Sequence, residues 1–262
     1  MKIAVIGAGE MGGAFAEGLL RGNVFHAADV TIANPHEGKL KRFAEMGASV
    51  TTDNKAAVVG ADFITLVVKP WLIEQVINEI KTELDYDRQM ILNMAASTTF
   101  GQLHEWLLKD GKLPPVFQIG PNIAIAHRQS MTFIAADANA QDQLATVESI
   151  FSDLGNVLVT DEQHMAAGSA LAGCGIAYAL RYIRAASEGG VELGFKADEA
   201  KHIVMQTMKG AVTLLEANDT NPESEVDKVT TPGGLTIRGL NEMEHAGFTS
   251  AVIRGLKAGL AK

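Results

Sequence analysis

Two glycine-rich stretches hold most of the residues through which this 262-residue chain can do chemistry. The first is IAVIGAGEMGGAFA, residues 3–16, in which Gly7-x-Gly9-x-x-Gly12 follows a β-branched run and opens a helical pattern. Each glycine has a task in that context. Gly7 permits a tight turn, Gly9 lets the backbone approach a pyrophosphate, and Gly12 allows close helix–strand packing. Glu10 and Met11 complete the turn at the helix start, whose unpaired N–H groups suit phosphate oxygens. No GxxxxGK[ST] occurs, which excludes a P-loop as the phosphate site. The second stretch is TTPGGLTIRGL, residues 230–240, a helix-breaking Pro-Gly-Gly set among threonines in a half of the chain that otherwise reads as helix. Such a break gathers backbone donors and hydroxyls in one place.

The elements that position these stretches read as two domains. KIAVIG (2–7), DVTIAN (29–34), FITLVV (63–68), MILNMA (90–95), VFQIG (116–120), MTFIAA (131–136) and NVLVTD (156–161) have the composition of strands. Between the early ones lie segments with apolar residues at helical spacing, residues 12–22, 38–47 and 71–84. That series predicts an α/β fold: an N-terminal Rossmann-type, mainly parallel sheet with helices on both faces, over residues 1–160. From Asp161 the strand signal stops, and residues 161–262 read as an all-α C-terminal domain.

Apolar residues make up 47 % of the chain and charged ones 20 %, enough for a packed core. The net charge of −9 gives no support for nucleic acid or an anionic membrane as partner. The one cysteine, Cys174, excludes an internal disulfide and fits a reducing cytoplasm; set among Ala and Gly, it reads as a small buried thiol used for packing. The N-terminal apolar run is broken at once by glycines and Glu10, which makes it a poor signal peptide, and no uncharged segment is long and apolar enough to span a bilayer. The seven histidines show neither HxxxH nor HExxH spacing, so no metal is inferred.

The end of the second strand bears on the cofactor. NAD sites place a carboxylate there, on the ribose 2′-hydroxyl. Here the residue is Asn34, with His36, Lys39 and Arg42 just beyond. This pattern favours NADPH, with NADH as the alternative, and leaves open that the cations merely solvate a helix face.

The C-terminal half selects a family. Residues 171–194, LAGCGIAYALRYIRAASEGGVELG, then QTMKGAVTLLE (206–216) and VTTPGGLTIRGLNEME (229–244), closely resemble the pyrroline-5-carboxylate reductases. VVKP (67–70) and NMAAS (93–97) agree with that family's first half, where NMAAS stands in place of SxAAG. The resemblance implies reduction of the cyclic imine Δ1-pyrroline-5-carboxylate to L-proline, the last step of proline biosynthesis, in a cytoplasmic homodimer or larger assembly. It places Val68, Lys69 and Pro70 at the cofactor, with Lys69 on the nicotinamide ribose or ordering its loop; a surface lysine before a Pro-initiated helix is the other reading. It places Asn54 at the adenosine end, where an Asp53-Asn54 helix cap explains the same residues. Backbone at Ala95 and Ala96 would lie near the nicotinamide. N–H groups of Gly233, Gly234 and Leu235 would meet the substrate carboxylate, with Thr231 alongside and Thr236 on the ring nitrogen. Departures from the family pattern fall at Gly120, Ile123 and Ala124, at Cys174 and Ile176, and at Leu235, where the family has a hydroxyl. Two alternatives stand beside this reading: a dinucleotide-binding sensor or catalytically diverged homologue, and a β-hydroxyacid dehydrogenase. The latter uses a lysine and, four residues on, an asparagine, where this chain has Ala179 and Ile183.

Overall fold

The computed structural model describes residues 1–260, which divide into two compact units, Met1–Gly173 and the residues from Cys174 on. The first unit runs β1 (Ile3–Ile6), α1 (Glu10–Arg21), β2 (Val30–Ala33), α2 (Lys41–Glu45), β3 (Ser49–Thr51), α3 (Asn54–Val58), β4 (Phe63–Leu66), α4 (Ile73–Ile80), β5 (Met90–Asn93), α5 (Phe100–Leu107), β6 (Val116–Gly120), β7 (Ser130–Ala136), α6 (Leu144–Ser152), β8 (Gly155–Thr160) and α7 (Glu162–Gly168). The eight strands form one sheet in the order β3-β2-β1-β4-β5-β6-β7-β8. Every pairing is parallel except β6 with β7. No crossover helix separates those two strands, only a 3-10 segment, Ile123–His127, closed by Arg128 in the left-handed region at φ 59°. A connection that short returns the chain antiparallel.

Alternation along β1 feeds two cores. Ile3 and Val5 pack on one face with Phe15 and Leu19 of α1, Phe43 of α2 and Phe151 of α6, where the Phe15 and Phe151 rings stack at 5.6 Å. Ala4 and Ile6 pack on the other face with Ile73, Ile77 and Ile80 of α4 and Leu103 of α5. Burial on both faces is what makes the central strands continuous apolar runs. The one strand absent from the sequence reading is β3. It is a three-residue edge strand, Ser-Val-Thr, with a single apolar residue, too short to carry an apolar run. After β8 the strand pattern does end, but α7 still packs on β7, with Met165 against Phe133 and Ala135.

The second unit, after a π-helical stretch Ser169–Cys174, contains α8 (Gly175–Glu192), α9 (Ala197–Asn218), α10 (Pro222–Lys228), α11 (Leu235–His245) and α12 (Phe248–Ala258). Gly190 brings α8 close to α9, since a Cβ there would lie 2.8 Å from Ala200 Cβ. Tyr182 meets Phe248 edge to face, joining α8 to α12. Among the described residues of this unit only Ala200 is buried. Cys174 is accordingly exposed, not the buried thiol its small neighbours suggest, because small residues alone do not form a core around it.

One polar node fastens the far end of the first unit. Asp153, just after α6, accepts hydrogen bonds from the Asn23 backbone N–H (2.7 Å), Asn23 Nδ2 (3.0 Å) and Arg128 Nη2 (2.6 Å). It also crowds Gly22, where a Cβ would lie 2.2 Å from Oδ2. Burial would raise the Asp153 carboxyl, but the Asn23 donors and the Arg128 guanidinium outweigh it and hold the group below its ordinary value. With the folded value lowered, the stabilisation is complete above the unfolded value of about 3.9 and is lost as pH falls through the folded value. Asp153→Ala is expected to cost about 2–3 kcal/mol in urea unfolding at neutral pH. The gap to the unsubstituted chain should narrow as the medium is acidified below that range.

Candidate functional site

The glycine turn lies at the carboxyl edge of the sheet, between β1 and its two neighbours. The order reverses there, with β2 on one side and β4 on the other, and open α/β sheets bind ligands at such a switch point. Gly7 sits at φ 108°, where a Cβ would lie 2.7 Å from the Val67 carbonyl oxygen. A Cβ on Gly12 would lie 1.9 Å from the Gly7 carbonyl oxygen. These two glycines are therefore required by the fold itself. Gly9 differs. It is the N-cap of α1, has no side-chain cap bond to offer, and a Cβ on it would meet nothing within 4 Å. The space above it, facing the first N–H groups of α1 at Glu10, Met11 and Gly12, is open to an anion.

Asn34 follows β2 and is 6 % exposed, and its backbone N–H donates to the Thr51 carbonyl. Its Nδ2 is buried without any hydrogen-bond partner. A buried amide donor left unpaired costs stability, and a ligand oxygen would satisfy it. Beyond it Arg42 lies over the Phe43 ring at 4.5 Å and against α1, where a Cβ on Gly13 would be 2.5 Å from Nη2. Among the described residues, His36, Lys39 and Arg42 join no salt bridge. The orphaned amide, the uncovered helix start and the unpaired Lys39 and Arg42 together fit a phosphorylated dinucleotide.

The other positions of the first unit fall along the same edge. Asp53 is the cap of α3, accepting from Lys55 and Ala56 N–H, whereas Asn54 Nδ2 donates to Glu79 at 3.0 Å. Val68 is half-buried, and Lys69 is exposed as the N-cap of a 3-10 turn begun by Pro70. Ala95 is buried and Ala96 exposed. Asn93 braces this loop: its Oδ1 accepts from the Ala95 N–H and its Nδ2 donates to the Ala95 carbonyl, both at 3.2 Å. Ser97 then takes φ 66°, a left-handed conformation that fits the glycine of the family motif better than a serine.

A second brace was not anticipated from the sequence. Glu162, the first residue of α7, accepts from the Phe100 backbone N–H (2.6 Å) and from Gln118 Nε2 (2.9 Å), and the same Nε2 donates to the Thr98 carbonyl at 3.0 Å. The available signal was Gln118 itself, a polar residue inside the apolar strand run VFQIG.

In the second unit, Thr231-Pro232-Gly233-Gly234 forms a tight turn closed by the Gly234 N–H on the Thr231 carbonyl at 2.9 Å. Pro at its second position and Gly233 at φ 68° at its third match a type II turn. This corrects one expectation, because the Gly234 N–H is held inside the turn and does not face outward to a carboxylate. Gly234 is needed for another reason. It is the N-cap of α11, and a Cβ on it would lie 2.4 Å from Thr231 Oγ1. Leu235 and Thr236 open α11 with both side chains exposed, and their N–H groups lack partners within the helix.

Comparison with known proteins gives two family models. Residues 162–262 match the model described as pyrroline-5-carboxylate reductase dimerisation, and residues 2–97 match the one described as NADP oxidoreductase, coenzyme F420-dependent. Pyrroline-5-carboxylate reductase 2 of Dictyostelium discoideum is 34 % identical, over 97 % of this chain and 89 % of that protein. The chain belongs to the pyrroline-5-carboxylate reductase family. Reductase 1 of the same organism is 36 % identical over 97 % of this chain, which spans about half (48 %) of that relative's length. The Plasmodium falciparum pyrroline carboxylate reductase, solved with NADP bound, superposes with a TM-score of 0.89 over 99 % of this chain and 95 % of its own; at 23 % identity this likeness shows the fold. Among the described residues, no group of His, Cys, Asp or Glu is arranged to hold a metal ion, and no helix is long and apolar enough to cross a membrane.

Gly9 and Gly12 separate binding from folding. Gly9→Ala is expected to change thermal stability by no more than about 0.5 kcal/mol, as at an uncrowded position. It should nevertheless weaken NADPH binding by about tenfold or more in fluorescence titration, since only the ligand meets the added methyl. Gly12→Ala should lower the melting temperature clearly.

Proposed function

We propose that this chain reduces Δ1-pyrroline-5-carboxylate to L-proline with NADPH, as the last step of proline biosynthesis. The observation that carries the reading is the unpaired, buried Nδ2 of Asn34 beside the open glycine turn, in a chain similar over nearly its whole length to curated pyrroline-5-carboxylate reductases. The bound dinucleotide would supply the hydride. Gly9 and the first N–H groups of α1 hold the pyrophosphate. Asn34, with no carboxylate to repel a 2′-phosphate and with His36, Lys39 and Arg42 unpaired nearby, supports NADPH over NADH. Asn54 serves the adenosine end once it exchanges its Glu79 partner. Val68, Lys69 and Pro70, with the backbone of Ala95 and Ala96, hold the nicotinamide half.

On the second unit, the donors for the substrate carboxylate are the N–H groups of Gly233, Leu235 and Thr236, reinforced by the α11 dipole, with Thr231 flanking them. The Thr236 hydroxyl addresses the ring nitrogen. A threonine hydroxyl is a poor acid, so Thr236 orients the imine and relays a proton rather than supplying one outright. A protonated imine is already electrophilic, so the absence of a lysine at Ala179 suits imine reduction better than alcohol oxidation.

Residues 1–160, with α7 packed on β7, serve the cofactor, and the helices after them serve the substrate and the dimer contact. The exposed Tyr178, Leu180, Tyr182, Ile203, Met205 and Val212 support a homodimer, with a larger assembly also compatible. A single cysteine supports a cytoplasmic setting. Purified protein should oxidise NADPH when given pyrroline-5-carboxylate, with a higher kcat/KM than for NADH. Cofactor binding without turnover would instead mark a sensor. Thr236→Ala is expected to lower kcat/KM by about tenfold or more, and an unchanged value would dismiss its role.

A further inference from the structure

The loop after β5 is fixed at both ends by polar bonds, and only the first end is held locally. Asn93 closes it at Ala95. Five residues further on, the restraint comes from α7, more than forty residues away in sequence. Glu162 takes the Phe100 N–H at the start of α5 and the Gln118 amide, and that amide also holds the Thr98 carbonyl. Gln118 is 7 % exposed and Thr98 6 %, so the bond between them is buried, and the two bonds to Glu162 are partly buried. Between the two braces Ser97 is held at φ 66°, a conformation that persists only where the surroundings impose it. Thr99 caps α5 through its own box with Gln102, which leaves the Phe100 N–H for Glu162. A carboxylate at that helix start is also favoured by the dipole.

We infer that Glu162 is a positioning residue for the nicotinamide half of the cofactor site, acting through Phe100, Gln118 and Thr98 on the Ala95–Ser97 backbone. The inference rests on the assignment of that backbone to the nicotinamide. Glu162 touches neither cofactor nor substrate in this role. It fixes the height of a loop whose small displacement misaligns hydride transfer, an effect that can reach about two orders of magnitude per ångström. The adenosine half, at β1 and β2, lies on strands that do not contact this brace.

The test uses the full chain with Glu162→Ala, Glu162→Gln and Gln118→Met, the last removing the bridging amide with little change in volume. Three quantities are read: the dissociation constant of adenosine 2′,5′-bisphosphate, which fills only the adenosine end; that of NADPH; and kcat with pyrroline-5-carboxylate. Glu162→Ala and Gln118→Met should lower kcat by about tenfold or more and weaken NADPH, with adenosine bisphosphate binding within about twofold of the parent. Glu162→Gln keeps an acceptor for both donors and should recover most of the loss. Parental kcat and NADPH affinity in Glu162→Ala would overturn the inference. So would equal damage in the Gln variant, or adenosine bisphosphate binding that weakens in step with kcat. If the parent binds NADPH but does not turn over pyrroline-5-carboxylate, the proposed substrate falls, and the split between NADPH and adenosine bisphosphate binding still decides the role of Glu162.

Discussion

The approach of Gly12 to the Gly7 carbonyl is the contact on which the first unit's chemistry depends. A single methyl at Gly12 would collide with the Gly7 carbonyl oxygen, and one at Gly7 would strike Val67. With both absent, α1 starts directly at the end of β1 and close to the β4 strand end. Its first N–H groups stand at the point where the strand order diverges. The two cores then lock this arrangement, because alternate residues of β1 belong to opposite faces of the sheet. Gly9 is the exception, crowded by nothing in the chain. Packing explains two of the three glycines and leaves the third with no role inside the fold, a distinction the pattern does not make by itself.

The second unit obeys a different constraint. Its helices are long, yet only Ala200 is buried among the residues described, and aromatic and aliphatic side chains from α8 to α12 remain open to solvent. A helical bundle of this size normally hides one stripe of each helix. Apolar surface of this extent marks a surface that is covered by another molecule. The family model matched over these residues is described by dimerisation, and the physical reason is visible in the side chains themselves.

Much of this was legible in the sequence, and the omissions have physical causes. The central strands carry apolar runs because they are buried on both faces. β8, an edge strand with no buried residue, is still legible through Val157-Leu158-Val159, whereas β3 is three residues long with one apolar side chain and has no run to read. The glycine fingerprint and Asn34 were readable by position, but only coordinates reveal that the Asn34 amide lacks a partner. The Pro-Gly-Gly break at Pro232 is legible as a source of backbone donors. Its internal bond, which removes the Gly234 N–H from that set, follows from the turn type and not from composition. The Glu162–Gln118 bridge joins residues 44 positions apart, and no local pattern encodes such a pairing. Cys174 failed in the opposite sense. Small neighbours suggested burial, but burial depends on what covers a helix, not on the sizes of its own side chains.

The same reasoning resolves the departure at Leu235. A hydroxyl there is replaced by an aliphatic side chain, which removes one donor from the turn. Leu235 is nevertheless the first residue of α11, and it is 85 % exposed. Its side chain leaves the backbone unconstrained by packing within the unit, and its N–H is unpaired because of its place in the helix, whatever the side chain. Anion binding by a helix start draws on backbone N–H groups and the dipole, both of which survive the change. Thr236, one residue on, keeps the hydroxyl at the position assigned to the imine nitrogen. The departure therefore changes only a side chain, and the backbone donors of the proposed substrate site are untouched by it.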